Sequence, residues 1–384
     1  MGSGVQFPSG FSGRYELIVR QLAQAGHELL VIDGITPRGP ANPGDELVHD
    51  RGTTRLRVGR GTYRWPEARV PNRLKSIARV YCTRAGRTGW ERAASKALRA
   101  WSPDVVLALA PWQPILAGLG PRGIPVALFA EEDLSIHQQG EHERKPRARW
   151  KEWLRVAMRP APRVVVVIAS KEERWAAQQF PRSTVLVVPH AIDLDYWSPG
   201  GPGADRAKAS ILCAGDFRQA RNFAGLDHIA QAFTSEQAKT LTCTIASAYP
   251  PPDKLLSDHG ALLQYLGAVE DLRPLYERST LSLVPAFTVT GVKTQILQAW
   301  AMGCPVVTTA AGAASVGGTS GEDLLAGESP DEVAAHIAAV VADPAMALHL
   351  SANGVAQVKK HFSQSALMES MDQLLNLLTK KDPA

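Results

Sequence analysis

Three short stretches pair glycine with a cation where an apolar run gives way to a helical pattern: "PSGFSGR" (8–14), "GDFRQARN" (215–222) and "TVTGVKT" (288–294). The cations are Arg14, Arg218 with Arg221, and Lys293. A helix N-terminus is partly positive, so a lysine there is unfavourable by roughly 0.3 kcal/mol or more unless an anion is held nearby. Free amides at a helix start, with glycine letting a ligand approach the backbone, form a ready anion site. A lysine that merely faces solvent is the alternative. One such turn is weak evidence, but two in one half of the chain and a third in the other point to a shared diphosphate. Neither GxGxxG nor GxxxxGK[ST] is present, which excludes the usual dinucleotide fingerprint and the P-loop.

The elements that must position these turns alternate between helices and short apolar runs, the pattern of a mostly parallel α/β sheet. In the first half, "ELIVRQLAQAG" reads as a helix, and "HELLVID", "DVVLALA", "IPVALFA", "RVVVVIAS" and "STVLVVP" read as strands. In the second half the strands are "ASILCAG", "TLTCTIAS", "LLQYLG", "LSLVPA" and "PVVTTA". Two doubly wound units are expected, with a boundary in 187–210, where the run of Gly and Pro after Trp197 suits no element interior. The domain ranges read as 1–192, 193–363 and a last segment, 364–384, whose helix over about 364–380 reaches back to the first domain.

A chain of 384 residues with 45% hydrophobic content has room for two cores. Cys82, Cys213, Cys243 and Cys304 lie far apart without CxxC or Cys/His ligand spacing, so a reduced setting without structural zinc is expected. No stretch approaches the roughly twenty apolar residues of a membrane span. The net charge of +5 is uneven: residues 1–197 carry 29 basic and 19 acidic side chains, the remainder 13 and 18. The basic excess concentrates in 55–99 and in "RKPRARWKEWLRVAMRPAPR" (144–163), where Trp150, Trp153, Leu154 and Ala157 recur at helical spacing beside arginines. Such a stretch is either a solvated helix face or a surface for an anionic membrane or acidic ligand.

Longer stretches resemble a known family. "VVPHAIDLDYWSP", "QYLGAVEDLRPLYERSTLSLVPAF" and "GVKTQILQAWAMGCPVVTTAAGAASV" resemble the conserved segments of GT-B-fold glycosyltransferases of the family 4 type. "GFSGRYELIVRQLAQAGHELLVID" and "FAEEDLSIH" resemble the first domain of a bacterial branch more loosely. The resemblance implies two Rossmann-like domains facing across a cleft, the first binding the acceptor and the second a nucleotide-diphosphate sugar. It implies a retaining, metal-independent transfer to a hydroxyl or amine without a further cofactor. The setting it implies is cytoplasmic, in bacterial specialised metabolism or envelope glycan synthesis, with no nucleic-acid partner and possible peripheral membrane contact. A catalytically silent subunit and a nucleotide-sugar epimerase on the same fold are the alternatives.

By motif position, the resemblance makes Arg221 a phosphate-binding cation and puts Lys293, with Gly291 and Val292, in the turn whose amides meet the diphosphate. Gly10 or Gly13 would approach the same phosphates from the first domain. Where the family often has a pair of glutamates, this chain has Thr290, on the sugar side, and Gln298, which would meet the ribose and can accept one hydrogen bond and donate another. Asp216 follows Gly215 where an arginine is expected, and Arg218 stands in for it. Tyr265 either edges the nucleobase or packs in the core. Glu131, Glu132 and Asp133 form either a helix N-terminal turn or an acceptor-side cluster with Glu132 as base. His190 replaces the family's Asn, as a linker residue bonded to backbone or as an acceptor contact.

Overall fold

The computed structural model describes residues 10–34, 46–50, 53–58, 100–108, 124–130, 162–199, 209–215, 220–287 and 291–380. The chain divides into two compact units, one of residues 18–187 with 370–384, the other of residues 1–17 with 188–369. The division falls within α1 (Gly10–Gln24), within the last helix, and between Val187 and Val188.

In the unit formed by 18–187 and 370–384, β1 (Leu29–Gly34) pairs in parallel with β3 (Thr53–Val58), which pairs antiparallel with β2 (Glu46–Asp50). A second, four-stranded parallel sheet runs in the order β4 (Val106–Ala108), β5 (Val126–Phe129), β6 (Val164–Val167), β7 (Thr184–Val187). All four residues of β6 are fully buried, as expected of a valine run covered on both faces. Val165 and Val167 pack with Ala108, Leu128, Ala130 and Ala176, the last on the short helix α2 (Glu173–Gln179). The expected strands of this half all form, while β2 and β3 were not expected. "TTRLRV" alternates Leu56 and Val58 with Arg55 and Arg57, a half-buried strand pattern that its charge content hides.

The other unit holds one six-stranded, wholly parallel sheet. Its strands are β8 (Ser210–Ala214), β9 (Thr242–Ala246), β10 (Leu263–Gly267), β11 (Leu281–Val284), β12 (Val306–Thr309) and β13 (Leu325–Gly327). Their spatial order is β10-β9-β8-β11-β12-β13, so the chain builds outward from β8 to one edge, returns to pair β11 beside β8, and builds to the other edge. This is the doubly wound order, and it reverses between β8 and β11. Helices follow the strands: α3 (Ala220–Gln231), α4 (Ser235–Thr240), α5 (Asp253–His259), α6 (Arg273–Arg278), α7 (Thr294–Ala301), α8 (Ala310–Val316), α9 (Pro330–Ala342), α10 (Pro344–His361) and α11 (Gln364–Thr379).

Period-two alternation divides each strand between two cores. Ile211 and Cys213 of β8 pack with Leu226 and Ile229 of α3 and Val333 and Ile337 of α9. Leu212 and Ala214 face the opposite way, toward Ile296, Leu297 and Trp300 of α7 and Val358 of α10. Trp300 is 1% exposed and donates from its indole nitrogen to the Asp323 carbonyl at 2.9 Å. Gly354 makes room for it: a Cβ there would lie 2.3 Å from the indole. Among the described residues no single helix is long and apolar enough to cross a membrane.

Candidate active site

Ligands of open α/β sheets settle outside the carboxyl ends of the strands where the strand order reverses. Here that place is flanked by the segments following β8 and β11, which lead into α3 and α7. Arg221 is the second residue of α3 and Lys293 immediately precedes α7, so two cations named by the sequence stand at the two helix starts beside the switch point. The Arg221 side chain is not among those described, and Arg218 and Thr290 lie outside the described residues, as do Glu131, Glu132 and Asp133.

Two tight approaches hold these helix starts in place. Gly225, on α3, meets the segment after β11: a Cβ at this position would lie 2.4 Å from the Pro285 carbonyl oxygen and 3.3 Å from the Phe287 ring. Only glycine lets the first turns of α3 come this near, which explains a residue otherwise unfavourable inside a helix. From the other side, the start of α8 fastens the same segment. Thr308 Oγ1 donates to the Val284 carbonyl at 2.7 Å, and Thr309 Oγ1 donates to Ala286 at 2.6 Å while capping α8 through the Gly312 amide at 3.1 Å. Gly312 is needed for that seat, since a Cβ would lie 2.1 Å from Thr308 Oγ1.

Lys293 is the N-cap residue of α7 rather than a first-turn residue as expected, with φ −84° and ψ 93°. Its amide donates to Ser315 Oγ at 3.3 Å, and Ser315, buried on α8, donates in turn to the Gly312 carbonyl at 2.6 Å. The backbone of Lys293 is thus held on both sides, its amide by the serine and its carbonyl by the Ile296 amide of α7 at 3.0 Å. Two residues earlier, Gly291 has φ +69°, in the left-handed region that favours glycine, and the space its Cβ would occupy is open to 4 Å. Val292 packs partly against the core beneath α7. A left-handed glycine with open space at its Cβ position, two residues before a lysine at a helix start, has the elements of an anion site.

Gln298 is part-exposed on α7, and its Oε1 accepts a hydrogen bond at 3.3 Å from the Tyr276 hydroxyl. Burial pushes the Tyr276 phenol well above its usual range, so it keeps the proton that it donates to Gln298. Tyr265 has the packing half of its reading: its ring packs partly against the core on the α3 side, and its hydroxyl donates to the Ser247 carbonyl, just past the end of β9, at 3.0 Å. Gly10 opens α1 and Gly13 lies in its first turn, so this helix begins well before the "ELIV" expected to start it. His190 is buried, with Nδ1 2.9 Å from the Ala191 carbonyl, the geometry of a backbone-bonded linker residue.

Arg14 differs from its reading as a phosphate cation. It is 1% exposed, and Nη2 donates to the Val188 carbonyl at 2.6 Å and the Pro189 carbonyl at 3.4 Å. It anchors the backbone at Val188 and Pro189. The segment that follows is tied to the same unit: Ile192 donates to the Phe362 carbonyl at 2.9 Å, and Gln364 bonds both the Asp193 carboxylate and the Leu194 amide. Arg273 stacks 4.2 Å over the Tyr196 ring and hydrogen-bonds Asp271, whose carboxyl is held below its usual range mainly by that bond. Gly225, Tyr276, Thr309 and Ser315 were not singled out from the sequence. Small and hydroxyl residues beside the quoted motifs were the available signal.

Two family models match the chain: "Glycosyltransferase Family 4" over residues 14–196 and "Glycosyl transferases group 1" over residues 208–343. No curated protein matches it by sequence. Among solved structures, the sucrose-phosphate synthase of Thermosynechococcus elongatus is similar at TM-score 0.71 and 17% identity, over 95% of this chain and 93% of that one. OtsA in its apo form is similar at TM-score 0.66 and 14% identity, over 98% of each. HepE of Anabaena, in complex with UDP and glucose, is similar at TM-score 0.60 and 14% identity, over 79% and 83%. The chain belongs to the GT-B-fold glycosyltransferases of the family 4 type, and it is a glycosyltransferase.

Proposed function

We propose that the protein moves a sugar, with retention, from a nucleoside-diphosphate donor to an acceptor hydroxyl or amine, without a metal ion, in a bacterial pathway of specialised metabolism or envelope glycan synthesis. The observation that carries this reading is that Arg221 and Lys293 stand at the starts of the helices that follow β8 and β11, the two strands that flank the switch point. The UDP in the HepE complex supports a nucleoside diphosphate as the ligand class.

Breaking the sugar–phosphate bond concentrates negative charge on the leaving diphosphate. Fixed cations and helix amides stabilise that charge without reorganising during the reaction. The Ser315 and Thr309 hydrogen bonds keep the Lys293 backbone and the segment before it in place as charge grows. The leaving phosphate takes the acceptor's proton, so no protein nucleophile is required. Gly291 leaves the phosphates room against the backbone, Gln298 meets the ribose, and Thr290 contacts the sugar. Glu131, Glu132 and Asp133 serve the acceptor.

The test is a thermal-shift screen against UDP, GDP, ADP and TDP, then hydrolysis and transfer assays with the matching nucleotide sugars, each with and without EDTA. One nucleotide is expected to raise the melting temperature, by an increment that follows its affinity, and its sugar is expected to turn over equally well in EDTA. A nucleotide that binds without turnover of any sugar would make the protein a silent binding subunit instead.

The basic stretch 144–163, almost wholly outside the described residues, is proposed as a peripheral contact with anionic lipid. Co-sedimentation with phosphatidylserine vesicles is expected at low salt, with release once the Debye length falls below about 10 Å. No sedimentation at low salt would leave the stretch a solvated face.

A further inference from the structure

Within the run Ile296–Ala301 every residue is buried except Gln298. Its amide carbonyl is turned to the hydroxyl of Tyr276, which has no solvent exposure. The tyrosine ring is fixed in turn: it sits on α6 within the core and meets Trp197 edge to face, centroids 6.0 Å apart at 79°. A primary amide has two unlike ends, since the carbonyl only accepts and the NH2 only donates. With one lone pair of the carbonyl engaged by a buried O–H, the NH2 is the end whose two hydrogens are both left for a ligand.

We propose that Tyr276 is a positioning residue that fixes the polarity of Gln298, so that the ribose of a bound nucleoside diphosphate meets an N–H donor. The proposal rests on the nucleotide reading above and adds to it a residue and a direction of hydrogen bonding. A carboxylate at position 298 would have two equivalent oxygens and would need no such orientation. The ribose hydroxyl oxygens therefore act as acceptors here. A tyrosine that merely filled the core would not discriminate between an amide and a carboxylate beside it.

The experiment measures the affinity of UDP, GDP or ADP, whichever binds best, beside that of its 2′,3′-dideoxy counterpart. The wild type is expected to prefer the full ribose by about tenfold, and Gln298→Leu to erase the preference. Tyr276→Phe keeps the ring and is expected to cut the preference to about threefold while leaving affinity for the dideoxy nucleotide unchanged. In the Gln298→Glu background, the same Tyr276→Phe change is expected to move the preference by less than about twofold, because the carboxylate has no polarity to set. An unchanged preference in Tyr276→Phe, an equal loss for both nucleotides, or the same loss in both backgrounds would overturn the proposal. If none of the three diphosphates binds the wild type, the nucleotide reading itself fails and the proposal with it.

Discussion

Lys293→Ala is expected to lower the rate of sugar transfer by about 10²- to 10³-fold, the usual range for removing one group that opposes charge developing in the transition state. Affinity for the intact nucleotide sugar should fall by much less, because its leaving oxygen carries little charge until the sugar–phosphate bond breaks. The fold should survive. The Lys293 side chain makes no capping hydrogen bond, and the contact that holds the turn, Ser315 Oγ to the Lys293 amide, uses backbone that alanine retains. Taking a cation from a helix start also removes a small unfavourable term, so the empty variant should melt at or slightly above the wild-type temperature. Arg221→Ala should behave alike in turnover. Parallel melting curves and single-turnover rates check both, and wild-type turnover in either variant would remove that cation from the mechanism.

Gly225→Ala is expected to lower turnover by about 10²-fold although the residue bears no side chain and is assigned no ligand contact, since a misplacement approaching 1 Å carries that cost. The new Cβ would stand 2.4 Å from the Pro285 carbonyl oxygen, far inside contact distance, and a backbone atom cannot rotate away. Either α3 or the segment after β11 must move, which shifts Arg221 relative to Lys293. Overpacking of this kind also costs about 1–3 kcal/mol of stability. Turnover measured well below the variant's melting temperature separates the two effects. Full activity there would show that the spacing of the two helix starts does not matter.

The strands of the second unit were legible because each is an apolar run long enough to cross the sheet and is closed by a turn signal; "SILCA" buries both its faces in the two cores. β13 escaped because three residues, Leu325–Gly327, carry no period. The strand order was not legible, because nothing in "SILCA" or "LSLV" states that β8 and β11 are neighbours, and it is this pairing that brings the turns after them to neighbouring strand ends.

Arg14 was misread for a related reason. An arginine beside glycines has the same local signature whether its guanidinium meets a phosphate or a carbonyl 174 residues away. Gly225, Thr309 and Ser315 act through contacts with residues far along the chain, and their types are too common to stand out. Lys293 drew notice because a cation at a helix start is a local contradiction, and the structure does place it at the start of α7.

The measurement that tests the central claim most directly is the affinity of the protein for the best nucleoside diphosphate relative to the parent nucleoside, by titration calorimetry. If the phosphates sit between the starts of α3 and α7, the diphosphate should bind at least about 100-fold tighter than the nucleoside, since charge-assisted hydrogen bonds are the strong ones. That ratio should fall in both Lys293→Ala and Arg221→Ala while nucleoside affinity stays constant. Equal affinities in the wild type, or a ratio that neither substitution changes, would contradict a diphosphate site at the switch point.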